Sequence, residues 1–203
     1  MAKKGLKFTT TISAIITLLS FIYKLGLSYL TMSLILLIAS ISTLMVFICK
    51  LLFVKNVTKS RESKKKAYFF MMIALLIYSI IFILFIVFKI NGIDISNDKT
   101  YEGLIGILLI SFMLLMFILS IVGLKGALQK TDLMVIGLKE ITLVAALADL
   151  VIIEEFISRI ILEYKEIKVL DIINSYFSLG VGCAMLLIAF IMLIRLFRYK
   201  TEK

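Results

Sequence analysis

Residues 141–162 read ITLVAALADLVIIEEFISRIIL. The run is long enough to cross a bilayer, since about 20 apolar residues span roughly 30 Å of hydrocarbon. It also carries Asp149, Glu154, Glu155 and Arg159. Each such charge near mid-helix costs about 2.5–3.5 kcal/mol, whereas each large apolar residue returns about 0.3–0.6 kcal/mol. With thirteen large apolar residues against four charges, the balance is unfavourable. The segment does not insert alone. It either crosses among partner helices or lies at the interface, and that choice sets the number of spans.

The surrounding chain settles the class. Of 203 residues, 62 % are hydrophobic and 18 % charged, with a mean hydropathy of +1.13. That surface cannot be hidden in one small core, so a soluble globular domain is excluded. High apolar content and the absence of proline exclude a disordered or collagen-like chain. With no His and two Cys, His-based catalysis, zinc fingers and a disulfide framework fall away, and neither a metal nor a cofactor is expected. The reading is an all-α, polytopic transmembrane helical bundle forming one integral membrane domain over residues 1–203.

Four further runs span by length alone: 28–54, 67–88, 104–124 and 172–194. A sixth candidate covers 8–23. Joined to 28–54 it would make a helix too long for one crossing, so a break is expected at Lys24-Leu25-Gly26-Leu27-Ser28. Gly26 lowers helix propensity there and Lys24 resists burial. Tyr23 and Tyr29 bracket the break and suit a membrane surface. The basic start at Lys3, Lys4 and Lys7 resembles a signal peptide, but no small-x-small cleavage site follows, so a retained anchor is expected.

Charge sets the orientation. The formal net charge is +10, but the basic residues fall in short clusters between apolar runs, which is a membrane pattern rather than a nucleic-acid one. Lys59, Arg61, Lys64, Lys65 and Lys66 crowd one loop and are read as topogenic, facing the anionic lipid surface. Arg195, Arg198, Lys200 and Lys203 crowd the C-terminus, and the 91–102 loop is acidic. Six spans put the N-terminus, 50–66, 125–140 and the C-terminus in the cytoplasm, in the cell membrane. The alternative is five spans with an interfacial N-terminal helix.

Several positions are packing candidates. Thr10, Ser13, Thr17, Ser20 and Lys24 form a weakly polar stripe on the first helix, read as a helix–helix contact in preference to a solvated pathway. Gly123 with Ala127, and Ser178 with Gly182, have the four-residue spacing that permits close backbone approach. Cys49 and Cys183 fall inside spans and are expected to be buried free thiols. On the fifth helix, Ala145, Ala148, Asp149, Ile152, Glu155, Phe156, Arg159 and Glu163 share one face, which should point into the bundle. Glu155 and Arg159 are an i, i+4 pair with the acid N-terminal. Asp149 has no basic residue within one turn, which makes it the candidate proton or cation group. Glu154 lies on another face and needs its own partner.

Glu154-Glu155-Phe156-Ile157-Ser158-Arg159 reads E-E-x-x-x-R. This resembles the first motif of the CAAX-type intramembrane protease family. The resemblance implies catalytic-acid positions for Glu154 and Glu155 and a partner position for Arg159. The family's later motifs need His, which this chain lacks, so the resemblance implies an inactive relative. Minimal loops, small-residue faces and a charged helix in want of partners favour a non-enzymatic accessory subunit. Such a subunit would bind another membrane protein or itself. The alternative is a small-solute or ion carrier coupled through Asp149.

Overall fold

The computed structural model describes residues 2–31, 33–91, 104–129, 132–164 and 168–201. Six helices follow in order: α1 (Ala2–Thr31), α2 (Leu34–Asn56), α3 (Arg61–Ile90), α4 (Leu104–Leu128), α5 (Leu133–Tyr164) and α6 (Lys168–Thr201). No strand occurs among the described residues. In hydrocarbon every backbone N–H and C=O needs a partner within its own segment, which a helix supplies. Five of the six are long and apolar enough to cross a membrane, and α5 is not among them.

The break between the first two helices lies later than the sequence suggests. Helix α1 continues through Lys24 and Gly26 to Thr31. Ser33 caps α2, its Oγ accepting from the Leu36 amide. The Ser28 hydroxyl donates to the Ser33 carbonyl at 2.9 Å, and the Ser33 amide donates to the Ser28 carbonyl at 3.1 Å. Gly26 costs a helix only about 1 kcal/mol. Lys24 is tolerated inside because a carboxylate from α5 receives its charge. Helix α1 lies antiparallel along α2: Lys50 of α2 reaches Ser13 and Thr17 near one end, and Lys24 reaches Thr43 toward the other. It is therefore packed along the bundle, and it is one of the helices long and apolar enough to cross a membrane.

The charged helix occupies the centre. Helix α5 packs against α2, α3, α4 and α6, and from Leu133 to Glu155 none of its residues is exposed. It runs parallel to α3, tied by Lys64–Asp132 at the start and Lys89–Glu155 at the end. It thus traverses the same thickness as a helix that is apolar enough to span. Ala145, Ala148, Asp149 and Ile152 of the face expected to point into the bundle are buried, and because neighbours surround the helix its polar groups reach several of them. Its N-terminus is capped by Asp132, whose Oδ1 accepts from the Met134 amide at 3.0 Å.

Contacts also align the ends. Arg61 at the start of α3 donates to the Tyr199 carbonyl near the end of α6, and its guanidinium lies 4.4 Å from the Tyr199 ring centre. The start of α1, the end of α2, the starts of α3 and α5 and the end of α6 therefore share one end of the bundle, which carries the basic clusters. The acidic residues of the 91–102 loop lie outside the described residues.

Candidate functional site

Four acids on or capping α5 have a cation partner on another helix. Asp132 accepts from Lys64 of α3 at 2.6 Å. Glu140 accepts from Arg195 of α6, with the Tyr68 hydroxyl of α3 donating to its second oxygen at 3.3 Å. Glu155 accepts from Lys89 of α3 at 2.7 Å. Asp149 accepts from Lys24 of α1 at 2.5 Å. Asp149 and Lys24 are only 7 % and 4 % exposed. A buried pair can repay its desolvation only with good geometry and further hydrogen bonds; here Thr43 accepts a second bond from Lys24 at 3.3 Å.

Asp149, which has no basic residue within one turn of its own helix, is ion-paired with a residue 125 positions away. Glu155 reaches Lys89 of α3; its expected pairing with Arg159 lies outside the described residues, as do the Phe156, Arg159 and Glu163 side chains. The Ser158 hydroxyl stands between Glu154 and Asn174, 3.2 Å from the Glu154 carboxylate and 3.0 Å from the Asn174 side-chain oxygen. Of the two glutamates of the E-E-x-x-x-R motif, Glu155 is tied to α3, while Glu154 meets Ser158 of its own helix, which also lies beside Asn174 of α6.

Small residues mark close approach on the α3/α6 side. A β-carbon built on Gly182 would sit 2.6 Å from Ile83 of α3, and one on Gly137 would sit 2.6 Å from the Tyr68 ring. Ser178 and Ala127 are buried. A β-carbon on Gly123 would meet the end of the Lys139 side chain, with Nζ at 3.1 Å. Of the loop lysines, Lys64 is taken up by Asp132; Lys59 is exposed, and Lys66 pairs with Glu62 along α3. Lys65 is half-buried. Cys49 is buried, whereas Cys183 is exposed on the outer surface of α6, contrary to expectation.

The other side of α5 is hollow. Helices α1, α2, α4 and α5 line two partly open chambers with volumes of about 260 Å³ and about 60 Å³. Both have Lys50, Met116, Ser120 and Thr142 in their walls. The larger lies toward the basic end, beside Thr9, Thr10, Ser13 and Lys139. The smaller is floored by the Lys24–Asp149 pair. The polar stripe of α1 lines both chambers, so it is more than a helix–helix contact. Lys50 is 7 % exposed and donates to the Ser13 hydroxyl, the Thr17 hydroxyl and the Ser13 carbonyl at 2.8, 2.5 and 3.2 Å.

Sequence reasoning missed Lys50, Lys139, Glu140 and Arg195. Hydropathy windows cut α5 at Ile141 and α6 at Ile194, assigning all four to loops or span edges. Their signal was the charge at those margins, still within helical reach of the core. Among the described residues no group of three or more Cys, Asp or Glu could hold a metal ion. No family model matches the chain, and no curated protein or solved structure matches it.

Proposed function

We propose that this multi-pass membrane protein is non-enzymatic and admits a small solute or ion into the cavity between α1, α2, α4 and α5. The Lys24–Asp149 pair would then form the barrier at the cavity's inner end. The supporting observation is that cavity, whose largely apolar wall carries hydroxyls and lysines and which ends on a buried ion pair. Sites in helical membrane proteins are commonly built this way, with ionisable groups facing an internal cavity. A proton on Asp149 would release Lys24, so loading and opening would be linked at one carboxylate.

The test begins with access. In a Cys49→Ala, Cys183→Ser background, Ser120→Cys should react with a charged, membrane-impermeant thiol reagent applied at the basic end. Leu115→Cys, on the outer apolar face of α4, should not. A silent Ser120→Cys would end the cavity reading. In dye-loaded vesicles, proton flux equal in wild type and Asp149→Asn would remove Asp149 from the mechanism.

The accessory-subunit reading drew on a charged helix seeking partners. The described partners of α5 come from this same chain, so that motive weakens. What such a subunit would offer is the outer surface of α1 and α4, where Tyr29, Leu30, Leu119 and Val122 are exposed. Stoichiometric copurification of one protein from native membranes in mild detergent would restore it.

A further inference from the structure

Three lysines and a single carboxylate line the paired chambers. Lys24 takes that carboxylate, Asp149. Among the described residues no carboxylate pairs with Lys50 or Lys139. Removing a cation from water costs several kcal/mol unless an opposite charge offsets it. Lys50 and half-buried Lys139 stand close enough to repel each other, and both line one cavity. An anion is the partner this arrangement lacks.

The donors differ in readiness. All three Lys50 protons have acceptors on Ser13 and Thr17, so Lys50 contributes mainly charge. Lys139 is half-buried in the cavity wall, with no acceptor among the described residues. The Ser13 hydroxyl accepts from Lys50, which leaves its own proton to donate. A tetrahedral oxyanion offers several acceptor oxygens and suits a point-charge ammonium with a nearby hydroxyl.

A second observation concerns the walls. Helix α1 packs on α2, and α4 packs on α5, but α1 and α4 make no close backbone approach to each other among the described residues. Both nevertheless line the chambers through Thr17, Met116 and Ser120. The cavity is partly open, and a gap between α1 and α4 would be the route an amphiphile takes from the membrane.

We propose that the cavity binds a phosphate group, held by Lys139 and the Ser13 hydroxyl and neutralised by Lys50. This assignment rests on the solute-admitting reading above. The phosphate belongs either to a free anion entering from the basic end or to an anionic lipid whose tails leave between α1 and α4. Both present the same oxyanion to the same lysines.

The test uses purified full-length protein in a neutral detergent, followed by thermal stabilisation on titration with inorganic phosphate. A parallel titration uses mixed micelles containing phosphatidylglycerol. At least one should stabilise the wild type saturably: phosphate alone identifies a free oxyanion, and phosphatidylglycerol alone identifies a lipid headgroup. Lys139→Gln and Lys50→Gln should each weaken that response at least about tenfold, equal to about 1.4 kcal/mol. Lys139→Arg should keep it, and Lys59→Gln on the exposed loop should leave it unchanged. Folded yield by size exclusion separates lost binding from lost fold, and retention in Lys139→Arg reports binding if Lys139→Gln fails to fold. No stabilisation by either probe, or equal stabilisation in Lys139→Gln and Lys59→Gln, would overturn the proposal. If Ser120→Cys is labelled while neither probe binds, the solute-admitting reading stands and the phosphate assignment alone falls.

Discussion

Toward α3 and α6, the carboxylates of α5 are matched: Asp132 by Lys64, Glu140 by Arg195 and Glu155 by Lys89. Gly137 and Gly182 let Tyr68 and Ile83 close over that side with no room for a β-carbon. Toward α1, α2 and α4, three lysines share one carboxylate, and the space between the helices stays open. The same residue types therefore serve two ends. Where charge is balanced and backbones approach closely, the arrangement holds helices together. Where cations outnumber acids around a cavity, the imbalance itself calls for something brought from outside.

The contrast is broken most forcefully at Glu140, which is 3 % exposed. Glu140→Ala leaves Arg195 facing the interior without its carboxylate and strands the Tyr68 hydroxyl. Breaking a buried pair on one side costs about 3–5 kcal/mol. The expected outcome is a large fall in the detergent melting temperature, or loss of monodisperse protein. Replacing both partners, as Glu140→Leu with Arg195→Met, should recover most of that loss, because apolar pairs of similar volume are tolerated in such places. A double variant no more stable than Glu140→Ala would show that the pair acts through some other contact.

A smaller effect compares two glycines. Gly137→Ala places a methyl 2.6 Å from the Tyr68 ring, and overpacking of this kind costs about 1–3 kcal/mol. Gly123→Ala meets only the flexible end of Lys139 at 3.1 Å. It should cost well under about 1 kcal/mol, because the lysine can swing into the cavity. Melting curves of the two variants side by side would measure how much more rigid the closed side is. Equal losses would mean that the cavity side is as tightly set.

These differences were unevenly legible in the sequence. Apolar runs located α2, α3, α4 and α6, and the excess of charge over hydropathy in α5 required that helix to be sheltered by others. The turn between α1 and α2 was misplaced because Lys24 and Gly26 look like a break when only local propensity is weighed. Its partner Asp149 lies on a helix that enters much later in the chain. Periodicity reports which residues share a face. It does not report which face meets which neighbour, so the reach of Glu155 to Lys89 of α3 could not be read from it. The cavity was harder still. Its polar stripe on α1 was visible, but a stripe that packs and a stripe that lines a void have the same spacing.

At Lys50 the expected stability change is smaller again. Lys50→Met removes a charge that no carboxylate offsets and fills the same volume with an apolar chain. Thr17 keeps its bond to the Ser13 carbonyl at 2.7 Å, so no buried donor is stranded there. Stability should stay within about 1 kcal/mol of wild type or rise, while the phosphate response falls. A loss comparable to that of Glu140→Ala would place Lys50 among the structural pairs and erase the distinction between the two sides.

The smallest change separates pairing from enclosure. Glu62 and Lys66 form an i, i+4 pair at 3.1 Å on the first turns of α3, with both side chains more than two-thirds exposed. Chemically it repeats the pairs inside. In water the two charges gain little from meeting, because solvent serves each almost as well, and such pairs contribute about 0.3–0.5 kcal/mol. Lys66→Ala should therefore shift the melting temperature barely at all, and raising the salt concentration should reduce even that. Glu140→Ala should respond to salt far less, since Glu140 is 3 % exposed. If both variants responded to salt alike, the interior pairs would be solvated. The closed side of α5 would then lose the property that distinguishes it from the open one.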